Sequence, residues 1–278
     1  MVPMSYPHGL EMQQRSLLLK LVRQLRLTIK KHLSPVVPQL VLEATRTDFG
    51  GADIRQDDFG WDDTLTRTLQ QIARDMMNPV RITTRQVQAL GPRINNANRE
   101  EWRRLIRGQY GVDPTADDPG RWAGLLERWA NQNALLIQDI PDQVMRQIRD
   151  QSIEALRSGR APRDLAGDIF EIMADRTDVS ESRARLIARD QVAKLNGQFT
   201  RERQTDLGVT SYTWRTVGDE RVRESHDAVD GMVFDWDNPP GTTDYNHPGE
   251  DYQCRCWAEP VLPEVLQFNA PLLELEAA

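Results

Sequence analysis

The sequence predicts an α+β chain, with a mainly helical N-terminal two-thirds and a small C-terminal part built on a short antiparallel sheet. Three observations carry this. Apolar residues recur at helical spacing through most of the first 207 positions. After Gly208 the pattern changes to short β-branched and aromatic runs. Those runs are separated by polar stretches rich in Gly, Pro and Asp, which punctuate strands rather than helices.

The first helix is expected over Glu11–Leu33. Leu18, Leu21, Val22, Leu25, Ile29 and Leu33 form one apolar stripe, and Pro35 ends it. Lys20, Arg23, Arg26, Lys30 and Lys31 cover much of the remainder, and no acid falls between Met12 and Leu33. Such a helix packs into its own domain or docks on a partner protein, a membrane surface or nucleic acid. Residues 44–63 read as a Gly/Asp-rich loop. Helices follow at Thr64–Met77, Thr84–Ala97, Arg99–Arg107, Arg121–Gln138 and Pro141–Ser158, with a loop at Gly108–Gly120. Asp139 before Ile140-Pro141 suits a helix start with Pro in the first turn. A short helix at Pro162–Ala174, a loop, and a helix from about Ser180 to Asp206 complete this part. Ala184, Ile187, Ala188, Leu195 and Phe199 line the buried face of the last one.

Strands are expected at Val209–Val217, Met232–Trp236 and Asp251–Val261, with a short helix between the first two closed by Gly231. Asp219 and Glu220 fall in the first turn of that helix, where its dipole favours acids. The resulting division is a helical interaction region at 1–110, a second domain at 120–262 (helices to 207, then the α+β part), and a tail at 263–278.

Bulk composition narrows the function classes. The chain has 278 residues, 39% hydrophobic and 28% charged, with a net charge of −7. Mean hydropathy is −0.61. No stretch is apolar enough for a membrane span, and the N-terminus lacks a secretory pattern. Two cysteines make no disulfide framework, so a reducing cytosolic setting is expected. Residues 1–100 carry 14 basic and 10 acidic side chains, whereas 201–278 carry 6 and 16. Phosphate binding needs Lys and Arg, so any nucleic-acid surface should lie toward the N-terminus.

Chemistry concentrates in HPGEDYQCRCW, His247–Trp257, which holds both cysteines. In a strand, Cys254 and Cys256 share one face with Cα atoms roughly 6.5–7 Å apart, at or beyond disulfide reach unless the backbone bends. With His226 and His247 they form a Cys2His2 set suited to one tetrahedral zinc, although the spacing matches no standard finger. Spacing alone favours burial: cysteine packs as a small hydrophobe, and His226 shares an apolar helical face with Val222 and Val229. A Cys nucleophile with His247 as base is a weaker reading. Asp219, Arg223 and His226 fall on one helical face, either as a nuclease-like cluster with Arg221 or as an Asp–Arg ion pair orienting the histidine, which we favour.

These motifs, in this order, resemble the phage Mu F-like minor head proteins, the phage head morphogenesis domain family. Ala188-Arg189-Asp190 on a helix is followed by Trp214 in a strand. Asp219, Arg221, Arg223, His226 and Gly231 come next, then His247-Pro248-Gly249 and Cys254-Arg255-Cys256. The resemblance spans roughly residues 120–260. It implies a minor capsid component associated with portal and procapsid, assembled in the host cytoplasm and carried in the virion head, in contact with other head proteins and with DNA. It also implies a metal site at the His/Cys set, holding one structural zinc. An enzymatic alternative, a nuclease or an ADP-ribosyltransferase-like activity at His226, Cys254 and Cys256, stays open, although no NAD-binding motif is present.

Overall fold

The computed structural model describes residues 5–46, 60–111, 122–158, 161–244 and 246–262. The elements are α1 (His8–Leu33), α2 (Val37–Arg46), α3 (Gly60–Gln88), α4 (Gly91–Tyr110), α5 (Ala123–Arg157), α6 (Pro162–Asp206), β1 (Ser211–Arg215), α7 (Glu224–Asp227), β2 (Val233–Asp235) and β3 (Trp257–Val261). Long helices precede a three-stranded antiparallel sheet, so the α+β class is as the sequence predicts. The chain forms two compact units: residues 1–14, 89–130 and 188–278 make one, and 15–88 with 131–187 make the other.

In the second unit, the predicted stripe of α1 is buried, with Leu18, Val22, Leu25 and Leu33 fully enclosed. The opposite side of α1 exposes Lys20, Arg23, Lys30 and Lys31 to solvent. Arg26 does not join them. Its guanidinium is held by Asp178, by Glu181 at 3.2 Å and by the Thr177 hydroxyl at 3.2 Å. The helix α2 runs into residues 44–46, which the sequence marks as loop, because Val37, Leu40, Val41 and Ala44 are buried at helical spacing.

Several predicted breaks are absent. One helix, α5, runs through Pro141, because Ile137, Ile140, Val144 and Ile148 keep helical spacing across it and are all buried. Packing of that stripe outweighs the interior proline, which removes one backbone hydrogen bond. Asp139 therefore starts no helix; its carboxylate accepts from Arg146 at 3.1 Å and Arg183 at 2.6 Å. The polar run after Ala174 is likewise helical, not a loop. Thr177 is buried and its hydroxyl donates back to the Met173 carbonyl at 3.1 Å, while Asp178 and Glu181 receive Arg26. The helix predicted over Thr84–Ala97 is instead divided between α3 and α4 at residues 89–90, where Pro92 near the start of α4 favours a new N-terminus. The loops expected at 44–63 and 108–120 lie mostly, and the tail wholly, outside the described residues.

In the first unit the sheet order is β2-β1-β3. The central strand alternates as its sequence demands, burying Tyr212 and Trp214. Thr213 faces Val233 on one side and Glu259 on the other. Pro260, which cannot donate to a ladder, sits on an edge strand where that is tolerated. Tyr212, Trp214, Val229, Trp236, Cys254, Cys256 and Ala258 form one core, with Phe234 against it. The C-terminal end of α6 is tied to this sheet by Gln204, which donates to the Ala258 carbonyl at 2.8 Å and accepts from the Trp236 indole at 3.2 Å.

Two expectations about the C-terminal part need correction. The third strand begins at Trp257, so both cysteines precede it, in a bent segment where Gln253 has a φ of 58°. The segment from Gly218 to Gly231 is mostly turn, with only Glu224–Asp227 helical, and Asp219 lies outside that helix.

Candidate metal centre

His226 is delivered by α7 and is 2% exposed. Its Nδ1 lies 3.6 Å from Cys254 Sγ and 3.4 Å from Cys256 Sγ. Its Nε2 lies 3.3 Å from Asp251 Oδ2. A proton on Nε2 satisfies the carboxylate and leaves Nδ1 with a single lone pair facing two sulfurs. One lone pair cannot accept fully from two thiols, whereas one metal ion can be shared by all three atoms. Zinc bonds of ~2.3 Å to sulfur and ~2.05 Å to nitrogen, at a tetrahedral angle, separate S and N by ~3.6 Å. The measured separations meet that requirement, and the three donor atoms all lie within 4.8 Å of one another.

The surroundings favour negative charge on sulfur. Backbone N–H groups of Gly249 and Cys256 point at Cys254 Sγ, each at 3.4 Å. The Cys254 thiol is pulled down to about 4 by the hydrogen bond from the Cys256 thiol, by His226 and by those two N–H groups, against the opposing effect of burial. Cys256 is pushed up by that same shared proton and by burial. The two sulfurs thus share a proton, with Cys254 the more readily ionised. The buried indole N–H of Trp214 makes no hydrogen bond of good geometry, yet it favours the anionic form of Cys256. The Trp214 ring packs edge-on against His226 with centroids 5.2 Å apart.

Backbone geometry brings the cysteines to this point. Asp190 on α6 accepts the Gln253 N–H at 3.2 Å, fixing the left-handed residue that turns the chain into Cys254. Gly249 has a φ of 90°, and a Cβ on it would lie 3.5 Å from the Gly197 Cα. A Cβ on Gly197 would in turn approach the Pro248 carbonyl to 3.2 Å. Two glycines therefore let the His-Pro-Gly turn lie directly on α6.

His247 does not join the cluster; the expected four-residue set is a three-residue set. Its Nδ1 pairs with the Tyr212 hydroxyl at 2.9 Å, and its ring packs against Trp236 at 4.9 Å. It is an anchor that, with the buried Pro240 and Thr243, gives the preceding loop a core of its own. The favoured Asp219–Arg223 pair orienting His226 is also absent. Asp219 pairs with Arg255, and Arg223 reaches Asp251 at 3.1 Å and the Tyr252 carbonyl. Asp251, which orients His226, was not singled out by the sequence. Its partner is far away in the chain, and an acid beside a cysteine pair carries no spacing signal of its own.

Comparison with known proteins places this geometry. Residues 146–259 match the family model described as Phage Mu protein F like protein. Among curated proteins, one of Haemophilus influenzae, described only as an uncharacterized protein, is 40% identical over 143 residues. The match covers 51% of this chain and 31% of that relative, so the chain spans about a third of the relative's length. No solved structure matches. That likeness is to a family of phage head morphogenesis proteins, and it lies in the C-terminal half of the chain. No helix among the described residues is long and apolar enough to cross a membrane.

Nearly every Mu F-like motif residue has a place around His226. Asp190 holds Gln253, and Arg223 steadies Asp251. Gly231, at a φ of 78°, donates its N–H to the Trp214 carbonyl at 2.8 Å. Arg255 locks the segment to Asp219, whose carboxylate also accepts the Arg221 N–H at 3.0 Å. The Arg221 side chain is exposed.

Burial holds the His247 imidazole below the ordinary histidine range, against the opposing pull of Glu250 and Asp237 and with help from Arg201. The folded chain therefore takes up this proton at lower pH than the unfolded chain, which does so near pH 6.5. The unfolded state binds more protons as pH drops through that value, so stability falls. The thermal midpoint should decrease from pH 7 to pH 5, and less steeply in His247→Gln. An equal slope in the variant would remove His247 from this role.

Proposed function

We propose that the chain is a minor capsid component of a tailed phage or prophage that acts in head assembly with the portal, and that one structural zinc on His226, Cys254 and Cys256 fixes its Mu F-like block. The observation that carries this reading is the coincidence of two things. The family match covers the segment whose motif residues converge on one His–Cys–Cys cluster. Zinc would clamp a bent segment to α7, and its binding free energy would add directly to folding. Assembly would take place in the host cytoplasm and leave the protein in the virion head.

The exposed cationic side of α1 is the surface we assign to portal or packaged DNA. Among the described residues, Lys20, Arg23, Lys30 and Lys31 make none of the ion pairs that hold Arg26. Four phosphate contacts would give a log–log salt slope of about −3 to −4. Mutating those four residues to Ala should abolish that slope and weaken low-salt DNA binding, while Arg26→Ala should change it little. The chain should also co-purify with portal from procapsids. If neither portal nor DNA associates at low salt, this assignment fails.

A second reading draws on the same distances. The Cys254 thiolate, His226 and Asp251 stand in the order of nucleophile, base and orienting acid. Zinc and enzyme readings differ at Cys256, which the metal needs and a Cys–His–Asp relay does not. Protein purified without chelator should carry about one zinc per chain, bound through a site that Cys256→Ser abolishes. Asp251→Asn should weaken zinc about 10- to 100-fold in chelator competition, and His247→Gln should leave it unchanged. A metal-free wild type whose Cys254 alkylates rapidly, with Cys256→Ser unaltered, would favour the enzyme.

A further inference from the structure

Zinc prefers four ligands, and the cluster supplies three; among the described residues no further His, Cys, Asp or Glu joins them. The side of the cluster formed by the two cysteines is distinctive. Cys254 and Cys256 belong to the wall of a cavity of about 530 Å³, together with Arg189, Ala193, Gly197 and Val217. His226 and Asp251 do not line it. The remaining approaches to the sulfurs are taken up by the Gly249 and Cys256 N–H groups on Cys254 and by the Trp214 indole beside Cys256.

We propose that the fourth coordination position of this centre opens through the cysteine wall into the cavity and takes a single exogenous anionic donor. The inference rests on the zinc reading above. Two thiolates and a neutral imidazole leave the zinc complex without net charge, so an anion is not repelled by it. Arg189 brings to the same wall a guanidinium that pairs with no carboxylate among the described residues. Structural zinc sites are closed by four protein ligands, whereas sites with three keep a position for an outside ligand. With three ligands from the chain, this fold-fixing zinc would keep such a position, and its ligand would enter from the cavity that Arg189, Ala193 and Val217 line.

Cobalt(II) substituted into the full chain tests this, because its visible absorption reports the donor set. Azide is the probe. It should shift the cobalt band saturably while the cobalt stays bound. Ala193→Phe, which fills the cavity, should keep the azide-free band and raise the half-saturating azide concentration at least about tenfold. Val217→Trp is the second variant, since Val217 is 45% exposed at the same wall and tolerates a larger side chain. Stoichiometric cobalt whose band ignores azide would show a fourth donor from the chain itself and overturn the proposal while leaving the zinc reading intact. Azide that shifts the band equally in both cavity variants, or that strips the cobalt, would overturn it too. Failure to bind cobalt at all would remove the zinc reading on which it stands.

Discussion

The imidazole of His226 is gripped from both ends, by Asp251 at Nε2 and by two sulfurs at Nδ1, and the C-terminal block is organised by that grip. A buried histidine must place both ring nitrogens, and here each has a partner of a different kind. The carboxylate fixes the tautomer. The tautomer decides that a lone pair faces the sulfurs, and that lone pair is what the proposed metal would use. Without Asp251 the ring could turn or carry its proton on the wrong nitrogen.

Holding three side chains from distant segments in register requires a frame, which the sheet and α6 provide. The central strand β1 buries Trp214 against His226, and Gly231 lets the chain reverse beside it. On the other side α6 approaches closely enough, through Gly197, to seat the His-Pro-Gly turn. It also presents Asp190 to the turn before Cys254. A metal at this point would join α7 to the segment leading into β3, two pieces otherwise linked by a long polar loop and by exposed ion pairs such as Asp219–Arg255, which are worth little singly. The loop has its own anchor in His247, so two separate devices fix it, one polar and aromatic, the other the contacts of His226 with Cys254 and Cys256.

Much of this was legible in the sequence, and the failures have physical reasons. The stripe of α1 and the alternation of β1 were readable because periodicity reports burial directly. The breaks assigned at Asp139 and after Ala174 were wrong because proline and polar runs are only local signals. The stripe from Ile137 to Ile148 and the use of Asp178 and Glu181 by Arg26 overrode them. At the site, residue type pointed to His226, Cys254 and Cys256, although Cys254 and His226 lie 28 positions apart. The same reasoning wrongly recruited His247, because nothing in composition reveals that a tyrosine from β1 would meet its ring. Asp251 was overlooked for the converse reason: its role exists only once the fold brings α7 to it.

The central claim is that the Mu F-like motifs build a centre of two sulfurs and one imidazole. X-ray absorption at the zinc edge of the zinc-loaded full chain measures this directly. The account predicts two sulfur neighbours at ~2.3 Å and one imidazole nitrogen at ~2.0–2.1 Å, completed by a single light atom from outside the protein. A shell with two imidazoles would return His247 to the metal, and a chain that takes up no zinc would contradict the account.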